Sequence, residues 1–301
     1  MIQDRALVAY PWGAPLGLAR AAVFGGMGLT LLLNPSWVLF TTSAVQPRAP
    51  RCDSYSSWAL FCSVGEHLEV ARIVAGAVLL IAASGIVPWA TALPAAYLVL
   101  STSVTMTLGD GGDQLYGILA VLLVPLSLTD WRRSSWSQHT SLCGARVRGS
   151  IAFVSWIAIR AQVFVVYLEA AFGKLGVPEW ANGSALYYWL RNPTFGPGEL
   201  LAAPVQALTS IPLVTGAATF AVVALEFALA IGPVLSLRLR PLLLVAGFAL
   251  HGAIIALMGI TSFSIVMFAA LLLHLPDVDA RACELLPRKG DWVVPTRTDA
   301  A

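Results

Sequence analysis

The chain has 301 residues, of which 58% are hydrophobic and only 11% charged, with a mean hydropathy of +0.78. A soluble domain carries about 25% charged residues, so this composition speaks against a soluble enzyme, a disordered protein and a nucleic-acid binder. The net charge of +2 is too small to draw in a polyanionic partner.

In chain order, eight apolar runs approach the roughly 20 residues that a helix needs to cross a bilayer. They cover residues 17–40, 68–87, 89–108, 114–130, 150–174, 212–236, 241–259 and 261–275. Pro88 separates the second from the third, and Gly259-Ile260-Thr261 the last two. The eighth is short, so six or seven spans remain open. Long runs without ten-residue alternation exclude a β-barrel. The first run begins late and reads as a retained span rather than a signal peptide. The expected fold is all-α: a polytopic integral membrane bundle of about eight transmembrane helices over residues 1–276, then a polar, loosely ordered cytoplasmic tail, 277–301.

With eight spans, eleven Lys and Arg fall on the side of the termini and four on the other. The excess marks the cytoplasmic face, so both termini are expected inside. Two long loops then face outward. The first, about residues 41–67, holds Cys52 and Cys62, either two free thiols or a disulfide favoured by an oxidising compartment. A closed loop of about ten residues would be worth roughly 2–3 kcal/mol. Cys143 and Cys283 fall inside and are expected reduced. The second loop, about residues 176–211, is rich in Trp, Tyr, Pro and Gly. It reads as an interfacial segment with its aromatics at headgroup level, touching lipid or a partner.

Ionisable groups inside a membrane are costly and therefore informative. The fifth span carries Arg160, Tyr167 and Lys174 on one stripe and Gln162 and Glu169 on another. Such a helix is expected in the bundle interior or beside a water-filled cavity. Arg160, Tyr167 and Glu169 serve as structural partners or line a site. Lys174, one of two lysines in the chain, either snorkels to the headgroups or, covered by the aromatics around Trp180, acts as a base. Glu226 and His251 are satisfied core groups, proton relays or substrate contacts. Glu69 and Arg72, three apart, pair locally. In the turn Gly109-Asp110-Gly111-Gly112-Asp113-Gln114, Asp113 caps a helix, or Asp110, Asp113 and Gln114 touch an amine or metal. Two carboxylates are too few for a calcium site, and no metal centre is expected. Walker, GxGxxG, HExxH and GxSxG motifs are absent.

The stretch Tyr167 to Leu190, with Ala170-Ala171, Lys174-Leu175, Trp180, Gly183 and Tyr187-Tyr188 in order, resembles the signature of the HTTM membrane superfamily, which includes the vitamin K-dependent gamma-carboxylases. Leu115-Tyr116-Gly117, Asp130 and Phe248-Ala249-Leu250-His251 extend the resemblance over about residues 110–275. It implies that Lys174 is the base that deprotonates a vitamin K or menaquinol-type quinol, with Tyr167, Glu226 and His251 lining the pocket. Gly112 stands where the carboxylases carry a histidine, and their large lumenal domain has no counterpart here. Both departures speak against glutamate carboxylation.

Gly17-Leu18-Ala19-Arg20, Thr30-Leu31-Leu32-Leu33-Asn34, Phe61-Cys62, Ser84-Gly85 with Pro88, and Asp110 to Gln114 are similar, in their order along the chain, to the SdpB family within that superfamily. That resemblance implies a multi-pass protein of the bacterial cytoplasmic membrane. It would act in maturation or export of a secreted antimicrobial toxin peptide, with a precursor peptide and an SdpA-like protein as partners. The alternatives are a non-enzymatic scaffold or chaperone for the precursor, and a transporter or immunity protein.

Overall fold

The computed structural model describes residues 5–40, 50–107, 109–137, 146–276 and 279–284. Among them, eight long helices form a membrane bundle: α1 (Ala14–Leu33), α2 (Leu68–Ala83), α3 (Pro88–Thr105), α4 (Gly111–Leu128), α5 (Arg146–Leu175), α6 (Pro212–Ala230), α7 (Arg240–Met258) and α8 (Thr261–His274). Five of them, α1, α4, α5, α6 and α7, are long and apolar enough to cross a bilayer. The other three are shorter or less apolar.

Local chemistry sets the boundaries. α3 and α6 open on prolines, whose missing N–H would have had no partner in the first turn. α7 stops at Gly259, whose φ of +71° suits glycine and turns the chain into α8. α4 begins with a reciprocal cap: the Asp113 amide donates to Asp110 Oδ1 at 2.9 Å, and the Asp110 amide to Asp113 Oδ2 at 3.1 Å. Gln114 is exposed beside it. The Asp110–Gln114 turn is thus a helix start. No group of three metal-ligating side chains occurs among the described residues.

Packing places α1 at the centre, against α2 and α8, while α3 lies on α4, α5 on α4 and α6, and α7 on α8. The core is filled by side chains such as Phe24, Met27, Leu31, Leu79, Leu119 and Leu123. Where helices meet in lipid, small residues let backbones approach. A Cβ on Gly28 would sit 3.1 Å from the Gly76 carbonyl of α2. One on Gly26 would collide with the Tyr116 hydroxyl, which donates to the Ser262 carbonyl at 3.1 Å. That hydroxyl lies where α1, α4 and α8 converge. Arg72 of α2 pairs with Glu69 at 2.8 Å and donates to the carbonyls of Leu31 and Leu32, while Glu69 accepts from the Ser36 amide at 2.8 Å. The local pair therefore also closes the end of α1, whose last carbonyls have no helical partner.

At the opposite end of the bundle, Asp130 and Arg132 form a buried two-pronged ion pair at 2.7 and 2.8 Å. The segment that carries it docks on the α2–α3 turn: Val87 N donates to Arg133 O, Ser135 N to Gly85 O and Trp136 Nε1 to Ser84 O, all within 3.0 Å. Beneath it Arg20 is fully buried, reaching Pro88 O and Thr91 Oγ1 at 3.4 Å.

One element departs from the all-helical reading. β1 (Arg5–Tyr10) and β2 (Asp279–Glu284) pair antiparallel, from Arg5 opposite Glu284 to Tyr10 opposite Asp279. The start of the expected loose tail is therefore tied to the segment that precedes α1. Cys283 lies in this ribbon, whereas Cys143 lies outside the described residues.

Candidate functional site

α5 is only partly covered by other helices, and its two polar stripes separate. Tyr167 and Lys174 turn toward α6 and α7. Gln162 is half-buried, and Glu169 is exposed on the outer side. One stripe faces neighbouring helices and the other does not, because a helix at the rim of a bundle has a single inward face. Arg160, at the other end of the inward stripe, bonds the Pro276 carbonyl and stacks on Trp156 at 3.6 Å. It joins α5 to the end of α8 and takes no part in the array around Lys174.

That array has two pairs. Lys174 Nζ lies 2.7 Å from Glu226 Oε1 of α6, with side chains 23% and 10% exposed. Lys174 also donates to Ala170 O at 3.4 Å and lies 5.3 Å from the centre of the Trp180 ring. Two turns deeper, the Tyr167 hydroxyl meets His251 Nε2 of α7 at 3.0 Å, both side chains almost wholly buried. The rings of Phe263 and Phe268 face His251 edge-on at 5.7 and 6.2 Å. Tyr167 and Lys174 stand seven residues apart on α5, so the two pairs lie along one face of that helix. The four residues named from sequence therefore form one polar array shared by α5, α6 and α7. Two of its atoms, Glu226 Oε2 and His251 Nδ1, are buried without a hydrogen-bond partner, which is costly in a low-dielectric interior.

The array can hold and move protons. A carboxylate next to an ammonium group stabilises the charged pair, and transfer across 2.7 Å yields a neutral acid and a neutral amine. Tyr167 and His251 present a hydroxyl and an imidazole that exchange donor and acceptor roles with the tautomer. Around the Lys174 end, the segment after α5 folds into short helices, Pro178–Ala181, Ala185–Trp189 and Glu199–Leu208. Arg191 fastens them: it donates to Tyr187 O, Thr209 Oγ1, Gln206 O and Ser210 Oγ and stacks on the Tyr187 ring. Gly183, at φ +83°, lets the chain turn against Phe220 of α6. Nothing in the composition of this segment singles out Arg191 as the fastener.

On the same end lies the Cys52–Cys62 disulfide, with Cα atoms 5.7 Å apart. Its loop is anchored to α3: Arg51 N donates to Thr105 O at 3.0 Å, and Leu60 N to Ser101 Oγ at 3.1 Å. Asp53 accepts from the Ser56 hydroxyl and from the Tyr55 and Ser56 amides. These bonds, the Ser56 hydroxyl foremost, hold its carboxyl below the ordinary aspartate range. Asp53 therefore supports the loop above that range and releases it only as pH falls through the depressed value.

Residues 113–277 match the HTTM domain. The chain is 33% identical over 278 residues to the uncharacterized protein YitO of Bacillus subtilis (strain 168), covering 90% of this chain and 87% of that protein. It is 30% identical over 274 residues to the sporulation-delaying protein SdpB of the same strain, covering 89% and 83%. No solved structure gives a significant match.

Proposed function

We propose a function for this chain from one premise: it belongs to the HTTM domain family, as an SdpB-like membrane protein. In this reading it sits in the bacterial cytoplasmic membrane with both termini inside and acts in maturation or export of a secreted antimicrobial peptide. A precursor peptide and an SdpA-like protein are its partners. The polar array centred on Lys174 is its working site. The observation that carries the site is the Lys174–Glu226 contact, 2.7 Å long and mostly withdrawn from solvent.

The contact suits proton transfer. Lys174 passes its proton to Glu226, and the neutral amine then takes a proton from an acidic group of the substrate. The products are an ammonium group, a neutral carboxylic acid and a substrate anion, so charge balances. The unpartnered Glu226 Oε2 and His251 Nδ1 fit a ligand that brings hydroxyl groups, as a menaquinol-type quinol does. When bound, such a quinol would supply the acidic hydroxyl; Tyr167 and His251 would orient it, and Trp180 would limit water at Lys174.

A non-enzymatic scaffold is the second reading. It is favoured by the exposed apolar side chains of the segment after α5, Tyr188, Trp189, Leu200 and Leu208 among them, which suit a hydrophobic precursor. Lys174→Arg separates the two readings. Arginine keeps the pair with Glu226 but does not give up its proton. Loss of peptide maturation at normal membrane abundance supports the base; full maturation leaves the scaffold.

A further inference from the structure

Glu169 lies on the face of α5 that turns away from the bundle. It is exposed and makes no hydrogen bond or ion pair among the described residues. Lys174, the nearest cation in sequence, turns to Glu226 instead. Apolar side chains are exposed on both sides of Glu169 along the helix, Val165 toward the middle and Phe172 and Leu175 toward the end. About 10 Å of helix separates it from Gly176, where α5 has ended. The carboxylate is therefore held at hydrocarbon depth, where an ionisable side chain is costly and almost always has a polar or charged counterpart. The surface around it suits close approach. Ile157, Ala161, Val165, Glu169 and Gly173 are exposed at every fourth position, and such a row is a ridge by which helices interlock. Ala161 and Gly173 keep the ridge low, and a Cβ on Gly173 would meet nothing within 4 Å. Small residues at this spacing let a second backbone come near in lipid.

We infer that this ridge is the docking surface for a membrane helix of another protein, which brings a lysine or arginine to Glu169. Charge selects that occupant. A second copy of this chain, inserted in the same orientation, would meet the ridge with side chains of the same depth. Among the described side chains, no lysine or arginine is exposed on any of the eight long helices. Ridge against ridge, two copies would set one Glu169 carboxylate beside the other, and like charges in a low dielectric repel strongly. Acyl chains offer a carboxylate no partner at all. A basic side chain on a partner helix neutralises it, and the low ridge lets the two helices close around the pair. The inference holds for either reading of the Lys174 array, because Glu169 and Lys174 face different sides of α5.

Labelling with dicyclohexylcarbodiimide tests it. This apolar reagent reaches carboxyl groups from the lipid and modifies them when they are protonated, and mass spectrometry of the peptides reads Glu169 separately from Glu226. The full chain, purified alone into nanodiscs of phosphatidylglycerol and phosphatidylcholine, should be modified at Glu169. In membranes of the bacterium that makes the protein, that modification should be lost. Native gels of the same membranes give a second readout: wild type should run above the size of the chain alone. Glu169→Gln removes the charge and Ala161→Trp raises the ridge. Each changes one exposed side chain, and each should lose the larger species at normal membrane abundance. Protection of Glu169 in the nanodiscs would mean that a second copy or a lipid headgroup covers it, and equal modification in both settings would mean that lipid tails alone do. Either result overturns the proposal. So does an unchanged larger species with Glu169→Gln, whatever Ala161→Trp does.

Discussion

Tyr167 and His251, 84 residues apart in sequence, share a hydrogen bond of 3.0 Å in the buried contact between α5 and α7. Neither has another hydrogen-bond partner on that ring atom among the described residues. Tyr167→Phe keeps the ring and leaves the imidazole unmatched. An unsatisfied buried group costs about 1–3 kcal/mol, so the midpoint of thermal unfolding in detergent should fall. If the midpoint holds, the bond contributes nothing to the fold, and the pair's role lies in chemistry alone.

Lys174→Arg and Glu226→Gln should differ in kind. The arginine variant keeps an ion pair with Glu226 and should reach the membrane at wild-type abundance while producing no mature peptide. Glu226→Gln keeps an oxygen that accepts from the lysine but cannot take its proton, and should lose maturation as well. Maturation assays on the two variants, at matched expression, check both. Normal peptide from Glu226→Gln would remove proton transfer to Glu226 from the scheme.

Gly26 should tolerate no side chain while the Tyr116 hydroxyl is present. Gly26→Ala is expected to destabilise by about 1–3 kcal/mol through overpacking. Tyr116→Phe removes the colliding oxygen and should recover part of that loss. The double-mutant cycle should therefore give a coupling of at least about 0.5 kcal/mol. Simple additivity would mean that the two helices move apart instead.

Cys52→Ala should lower stability by about 2–3 kcal/mol, the value of closing a loop of this length. Mass spectrometry of peptides from protein never exposed to reductant should find Cys52 and Cys62 linked. Recovery of both as alkylated thiols would show that the loop is held by its contacts with α3 alone.

The charge bias predicts orientation. A cysteine introduced at Asn192 should react with an impermeant maleimide in intact cells, and one at Ser236 only after the membrane is opened. Reaction at Ser236 in intact cells would invert the topology.

Much of the bundle was legible because burial in lipid leaves long apolar runs, and Pro88 and Gly259 mark helix ends by their own backbone chemistry. Lys174, Glu226, Tyr167 and His251 stood out singly as charges or polar rings within such runs. Their pairing was not legible. The 3.6-residue repeat fixes which residues share a face of one helix, but not how α5, α6 and α7 are rotated about their axes. For the same reason the repeat does not tell that Glu169 faces away from the bundle while Tyr167 faces in. Arg20 lies in an apolar run with nothing in the sequence to mark its depth, yet it is among the fully buried side chains of the described residues. The ribbon of β1 and β2 joins residues near opposite ends of the chain, a pairing that no local pattern announces.

The loop that carries the disulfide bonds to Ser101 and Thr105, residues that follow it in the chain. Its docked form cannot exist while α3 is still unmade or still in the insertion machinery. If the thiols were joined before α3 arrived, the loop would be closed without its anchor. Oxidation after α3 is in place instead sets the cross-link on a docked loop. Docking of the loop therefore waits on α3, whenever the thiols are joined. A chain halted after α2 should present a disulfide loop open to proteases, and one released after α3 should not.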